Sequence, residues 1–208
     1  MTITGNPNAV LAFSERAPAK PIATTAEFPP AYHTLRDIYS NRDDRRVVTL
    51  EGTRPVYRIN RDNVEFTVSS SHAGYLYILM VGSDGKTFDM LFPNGLDNNN
   101  AIQAGQTLRL PRPNWMVTAG GPPGKNHLIA IVAESPREFG TIGMQPAGPF
   151  SVIPASAAAS QDIQRATSTS ANANSQECAE PPSKRTLTVQ RRCSNAYGAA
   201  MMVLEEVQ

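Results

Sequence analysis

Two cysteines, Cys178 and Cys193, are the residues of this chain best suited to covalent chemistry. A disulfide between them would close a loop of about 15 residues, for which the chain-entropy model gives a stabilisation of roughly 3 kcal/mol. The alternatives are two unrelated buried thiols and a cysteine nucleophile, which needs a neighbouring histidine. We expect the disulfide, which in turn favours an oxidising compartment.

The other potential ligand residues give no metal-binding pattern. The three histidines, His33, His72 and His127, lie far apart in the sequence, and two cysteines alone are too few for a structural zinc site. Residues 96–100, LDNNN, could offer oxygen ligands to calcium, but they lack the spaced acidic residues and the closing glutamate of a dedicated loop. We therefore expect no metal and no cofactor, and a turn built on asparagine side chains.

No sequence motif points to catalysis. The chain has no G-x-S-x-G, P-loop, H-E-x-x-H or kinase signature. Residues 120–124, GGPPG, resemble a phosphate-binding loop, but the two prolines lack the N–H groups that a phosphate cradle uses. The arginines at 42, 45 and 46 are interrupted by two aspartates, a pattern typical of a solvated face. We expect a protein that is not an enzyme.

The composition indicates one β-rich domain. A chain of 208 residues can bury one full core, and its 14 glycines and 17 prolines favour many short strands over a helical bundle. A net charge of +1 gives no electrostatic basis for binding nucleic acid or an acidic membrane. No apolar run approaches the roughly 18 residues of a membrane helix, and the N-terminus does not read as a signal peptide.

Hydrophobic periodicity gives the expected elements. Residues 1–30, rich in Ala, Pro and Thr, are predicted to form a flexible leader or linker. A domain is expected over residues 31–208, with short helices around Leu35 and in ASAAASQDIQRA, and a mobile loop over about residues 160–177. About eight to ten short strands are typical of an all-β sandwich or barrel. We expect a single β-sandwich, Ig-like in broad architecture.

Residues 74–94, GYLYILMVGSDGKTFDMLFPN, indicate this fold class most clearly. The run YLYILMV is apolar throughout, which favours a strand covered on both faces. The Asp-Gly pair of SDGK supplies the positive φ of a two-residue hairpin turn, and TFDMLF is the return strand. A further strand is predicted for NWMVTA, in which Trp115 is expected to be a core residue, with an exposed anchor for a partner as the alternative.

The order of these motifs resembles a bacterial domain family of unknown function, number 4384. The family pattern is a G-Y-L-Y strand, an L-F-P-N stop, an A-G…L-P turn and strand, and a P-x-G loop before an apolar strand. The resemblance covers roughly residues 50–135. The matching residues are Gly74, Tyr75, Tyr77, Leu91, Phe92, Pro93, Asn94, Ala104, Gly105, Pro111, Pro123 and Gly124.

The resemblance implies an accessory domain. In this family the domain commonly follows a serine/threonine kinase or a caspase-like peptidase, often beyond a membrane helix, and some of those kinases lie in type VI secretion gene clusters. No catalytic residues are established for it, so none is transferred to this chain. The chain would then be the periplasmic, C-terminal part of a membrane-anchored kinase, whereas a complete chain would be cytoplasmic.

We therefore expect a non-catalytic sensor or protein-interaction domain, with a protein partner, no nucleic acid and no membrane insertion. A structural adaptor of a secretion apparatus and a carbohydrate- or peptidoglycan-binding module are the alternatives. The functional surface is expected in two polar loops or around the disulfide. The loop residues are Asp97, Asn98, Asn99, Asn100, Lys125 and Asn126.

Overall fold

A computed structural model of the chain describes residues 30–171 and 194–208. The predicted leader, over residues 1–29, and both Cys178 and Cys193 lie outside the described residues, so the disulfide stays a prediction. Neither of the two α-helices that are described has the length and apolar character needed to cross a membrane.

The described residues form two α-helices, one 3-10 turn and eleven strands, and the strands build two sheets, which confirms the predicted β-sandwich. The helices are α1 (Pro30–Ser40) and α2 (Ala157–Ser168), and the 3-10 turn is Phe139–Thr141. The strands are β1 (Val48–Gly52), β2 (Val56–Arg58), β3 (Phe66–Ser70), β4 (Gly74–Val81), β5 (Thr87–Phe92), β6 (Ala101–Ile102), β7 (Thr107–Leu110), β8 (Gly124–Ala133), β9 (Gln145–Ala147), β10 (Phe150–Pro154) and β11 (Tyr197–Val207).

The two sheets and the helices form three layers. The small sheet has the order β1-β3-β7, and the large sheet has the order β2-β11-β8-β4-β5-β10-β9, with β6 paired to β4. All of these strand pairs are antiparallel except β2 with β11. One face of the large sheet, called here the inner face, packs against the small sheet, and the opposite face packs against α1 and α2. The helical layer adds to the predicted sandwich.

The central strand β4 shows why its sequence is apolar throughout. Successive side chains of a strand point to opposite faces, so Leu76 and Ile78 enter the core beneath the small sheet while Tyr77 and Leu79 enter the core beneath the helices. All four are at most 4 % exposed. The neighbouring strand β8 alternates in the same way, as the continuous apolar runs predicted.

Helix α2 extends into the segment for which the sequence predicts a mobile loop. The side chain of Ser156 accepts a hydrogen bond from the backbone N–H of Ala159 and caps the start of the helix. The helix then continues to Ser168 because Ile163 and Ala166 are buried in the core beneath the helices. The helix predicted in ASAAASQDIQRA is thus present, and it occupies residues 160–168, which are also part of the predicted mobile loop.

The predicted strand NWMVTA is also wrong, because residues 111–123 follow an irregular path. Their backbone hydrogen bonds go to the loop before β3, where Val64 N–H donates to the Val117 carbonyl at 2.7 Å and Asn60 N–H donates to the Ala119 carbonyl at 2.7 Å. These bonds satisfy the backbone without a place in either sheet. We call residues 111–123 the covering loop.

The buried side chain of Arg137 holds the start of β11. Its guanidinium donates to the carbonyls of Ser194 and Asn195 at 3.0 and 2.8 Å, and its backbone N–H donates to the hydroxyl of Tyr77 at 2.7 Å. The backbone N–H of Ser170 donates to the side-chain oxygen of Asn195 at 2.8 Å. The end of α2 and the start of β11 are therefore fixed side by side.

Gly74 begins β4 at a point where the backbone of β8 passes too close for a side chain. A Cβ atom at this position would overlap the carbonyl oxygen of Ala133. We predict that Gly74→Ala lowers the free energy of unfolding by about 1–3 kcal/mol, the usual cost of overpacking. Urea denaturation measures this effect. Gly140→Ala is the control, because a Cβ there meets nothing within 4 Å; equal losses in the two variants would contradict the prediction.

Candidate functional site

A cleft lies over the part of the inner face that the small sheet does not reach. Its floor is formed by strands of the large sheet and its roof by the covering loop. Its volume is about 370 Å³, at the lower end of the range for ligand sites. The cleft is the candidate functional site.

The floor of the cleft is apolar because strand alternation turns one set of side chains to the inner face. Five strands contribute: β4, β5, β8, β10 and β11. The apolar floor residues are Met80, Leu91, Leu128, Phe150, Val152 and Leu204. Val64 and Val117 add apolar surface on the side of the covering loop.

Three carboxylates line this apolar cleft, on Asp84, Asp89 and Glu206. Asp89 lies in β5 between Phe88 and Met90, which face the helices, so its own side chain faces the cleft. Burial raises the pKa of Asp89 above its ordinary value, and the nearby charge of Asp84 acts in the same direction. A hydrogen bond from the Thr87 hydroxyl, at 3.1 Å, opposes this rise only in part.

The other carboxylates have partners that fix the geometry of the cleft. Glu206, at 7 % exposure, accepts a hydrogen bond from the backbone N–H of Gly121 at 2.6 Å. Asp84 lies in the β4–β5 hairpin turn and pairs with Lys86 at 3.3 Å. The hydroxyl of Ser83 donates to the carbonyl of Pro122 at 3.0 Å. Floor and roof are thus joined at two points.

The structure separates the two residues predicted in the second polar loop. Asn126 lines the cleft, where its side-chain oxygen accepts the backbone N–H of Ser83 at 2.8 Å. Lys125 is exposed and precedes Asn126 by one residue in β8, so strand alternation directs it to the opposite face. Only Asn126 of this pair belongs to the cleft.

The first polar loop has a structural role. The carboxylate of Asp97 is 8 % exposed and accepts hydrogen bonds from Arg112 at 2.6 Å and from the indole N–H of Trp115 at 3.1 Å. Trp115 is buried, which confirms the prediction of a core residue. Its ring stacks on Phe92 at 6.2 Å and meets Phe150 edge-on at 6.0 Å. This cluster supports the covering loop behind the cleft.

The three asparagines that follow Asp97 do not line the cleft. The backbone carbonyl of Asn100 accepts a hydrogen bond from the N–H of Leu76, and its side-chain amide donates to the Leu76 carbonyl, so Asn100 lies against the edge of β4. Asn98 and Asn99 are exposed. The two predicted loops therefore do not form one site. The residues missed by sequence reasoning are Asp89 and Glu206. The sequence signal for Asp89 was an acidic residue between the apolar residues Phe88 and Met90, whereas Glu206 follows Glu205 and gave no such signal.

No group of three or more His, Cys, Asp or Glu side chains suited to a metal ion occurs within residues 30–171 and 194–208. His127 is buried against α1, with its ring 4.3 Å from that of Tyr32, and burial lowers its pKa. His33 and His72 are exposed. The histidines are thus dispersed over the described part of the domain.

Comparison with protein families gives one match. Residues 56–136 match the model of a family described as Domain of unknown function (DUF4384). The match runs from the start of β2 to just beyond β8, fewer than half of the 208 residues, and supports the family resemblance seen in the sequence motifs. It includes Asp84, Asp89 and Asn126 but not the β10 and β11 residues of the cleft. Comparisons with curated proteins and with solved structures gave no significant match.

Asp89 gives the stability of the protein a defined pH dependence. Because its pKa is raised in the folded state, ionisation opposes folding, and this loss of stability is complete above the folded-state pKa. We predict that Asp89→Asn raises the melting temperature at pH 7, and that the gain disappears as the pH falls towards 3.8, the ordinary aspartate value. Differential scanning calorimetry from pH 7 to low pH measures it. Asp44→Asn, at an exposed position, is the control; a gain independent of pH would contradict the prediction.

Asp97 is the acceptor on which the covering loop depends. We predict that Asp97→Ala lowers the free energy of unfolding by about 2–3 kcal/mol, because it leaves the indole N–H of Trp115 and the guanidinium of Arg112 without their acceptor. Trp115 is the single tryptophan of the chain, so its fluorescence reports directly on this site during denaturation. Asp44→Ala, whose ion pair is exposed, is expected to change stability by less than about 0.5 kcal/mol. Equal effects of the two variants would argue against the role of Asp97.

Proposed function

We propose that this chain is a non-catalytic accessory domain that binds a protein partner through the cleft, as the sensor or interaction part of a bacterial signalling or type VI secretion protein. The observation that carries the proposal is a cleft with a largely apolar floor, a roof fixed by hydrogen bonds, and a small number of acidic groups. Such a surface binds without rearrangement, which lowers the entropic cost of association.

The residues around the cleft support binding over catalysis. The described residues of its lining include no histidine, cysteine, lysine or arginine, and these side chains are the ones that most often act as nucleophile or base. A raised carboxyl pKa such as that of Asp89 also occurs in active sites. However, the buried carboxylate of Glu206 already accepts a hydrogen bond from the backbone N–H of Gly121, while Asp89 is only half-buried.

The carbohydrate-binding alternative has no support in the cleft. Sugar sites present exposed aromatic faces, whereas no tyrosine or tryptophan within residues 30–171 and 194–208 lines this cleft, and Trp115 is buried behind it. The aromatic side chain of Phe150 does line the cleft, but its ring packs edge-on against Trp115. We therefore keep a protein as the proposed partner.

The proposed parent protein follows from the family resemblance. In that reading the chain is the periplasmic part of a membrane-anchored serine/threonine kinase, and the cleft reports the presence of its partner to the kinase. The match over residues 56–136 supports the family on which this context depends. An oxidising periplasm also agrees with the predicted pairing of Cys178 and Cys193.

Site-specific photo-crosslinking in bacterial cells tests the proposal. A photoreactive amino acid replaces Thr118, an exposed residue at the border of the cleft, and in a control replaces Gln161, an exposed residue of α2. We expect a covalent adduct with one protein from position 118 and none from position 161. Equal adducts from both positions, or none from position 118, would contradict partner binding at the cleft.

An enzymatic screen completes the test. Hydrolase and phosphoryl-transfer substrates are offered to the purified wild-type chain and to Asp89→Asn, which keeps the shape of the side chain and removes its charge. We expect no turnover above background with either protein. Turnover by the wild type that Asp89→Asn abolishes would replace the proposal with a catalytic function.

A further inference from the structure

Among the residues that the structure describes, the ionisable side chains that line the cleft are all acidic, on a chain whose net charge is only +1. Within the described residues, Asp89 has no cation at ion-pair distance, and its hydrogen-bond partner is the Thr87 hydroxyl. Lys86 reaches Asp84 from outside, with 79 % of its own side chain exposed. The described part of the chain thus leaves the negative charge of the cleft largely uncompensated.

The apolar floor indicates which kind of cation would bind best in the acidic cleft. A bare inorganic cation would gain nothing from Leu128, Leu204 and Met80, which form the floor between the acidic groups. Lysine and arginine side chains combine a long apolar stem with a cationic head, so they cover apolar surface while the head pairs with a carboxylate. Charge and floor together favour a basic side chain as the ligand.

The border of the cleft favours a polypeptide as the carrier of that side chain. The outer strand β9 pairs on one side with β10, and its three residues are exposed. One of them, Ala147, also lines the cleft. Pro146, in the middle of β9, has no N–H to offer to an added strand. An extended segment of a partner can instead pass the edge of the cleft at Ala147 and direct one side chain inward. A volume of about 370 Å³ suits side chains better than a large organic ligand.

We infer that the cleft receives a lysine or arginine side chain from an extended segment of the partner protein, with an adjacent apolar residue against its floor. The basic head pairs with Asp89, and the stem lies over Met80 and Leu128, which occupy the same row as Asp89 on the neighbouring strands β4 and β8. This inference rests on the proposed function, since it specifies the chemistry of the ligand at the same site.

Selection from a random-sequence peptide library displayed on phage tests the inference with the purified full-length chain. We expect the selected peptides to carry a lysine or arginine beside an apolar residue. Synthetic copies should bind at least about tenfold more weakly to the Asp89→Asn, Glu206→Gln double variant, because a charge pair is lost in a partly desolvated site. The control double variant Asp44→Asn, Glu51→Gln removes two exposed charges and should bind like the wild type.

Two further measurements keep the test decisive. Replacing the basic residue of a selected peptide by norleucine keeps the stem and removes the charge, and should abolish the difference between wild type and cleft variant. The single variant Asp89→Asn serves if the double variant does not fold, as judged by circular dichroism. Spermidine and lysine amide are added as competitors, and we expect them to displace the peptides only at far higher concentration.

Each of the other possible results of these experiments would overturn one part of the inference. Selected peptides without a basic residue, or peptides that bind the cleft variants as tightly as the wild type, would overturn the inference while leaving a protein-binding function in place. Displacement by spermidine at the concentration of the peptide would show a site for small organic cations instead. Failure to select any peptide overturns recognition of an extended segment, and the crosslink from position 118 then decides the proposed function separately.

Discussion

The large sheet must bury both of its faces, and the arrangement of the other elements depends on this requirement. Its central strands, β4 and β8, carry apolar side chains toward the small sheet and toward the helices alike. A strand with this sequence is stable only when both faces are covered. The helices α1 and α2 therefore contribute chiefly by covering, through residues such as Leu35 and Ile163, a face that water would otherwise contact.

The cleft follows from a difference in size between the two sheets. Three strands cannot cover the inner face of a sheet of eight, so the covering loop extends over part of the remainder. Asp97 anchors this loop through Trp115 and Arg112, while Glu206 and Ser83 join it to the floor. The loop is thereby held above the sheet, and the space beneath it keeps an apolar floor together with acidic groups.

The features that could be predicted from the sequence are those that depend on neighbouring residues. Alternation in VEFTVSS and the apolar run of β4 each specify local structure, and each is present as expected. The hairpin after β4 is also present, but its connection is longer than the predicted two-residue loop: the turn centres on Ser83 and Asp84, and Gly85 alone of the Asp-Gly pair has a positive φ. NWMVTA resembles a strand because of its Trp and Val, yet its backbone partners lie some 55 residues earlier, at 60–64, and no local pattern reveals them. Asp89 was missed for a similar reason, because a strand buried on both faces does not show which face is a cleft.

The anchoring of β11 by Arg137 has a consequence for how the chain can vary. The backbone N–H of Ser170 is hydrogen-bonded to the side chain of Asn195, and the guanidinium of Arg137 holds the backbone just before β11. These contacts fix the register in which β11 enters the large sheet. Variation at Arg137 is therefore constrained from two strands at once. A shorter side chain at this position would leave the carbonyls of Ser194 and Asn195 without their donor at the point where β11 enters the sheet.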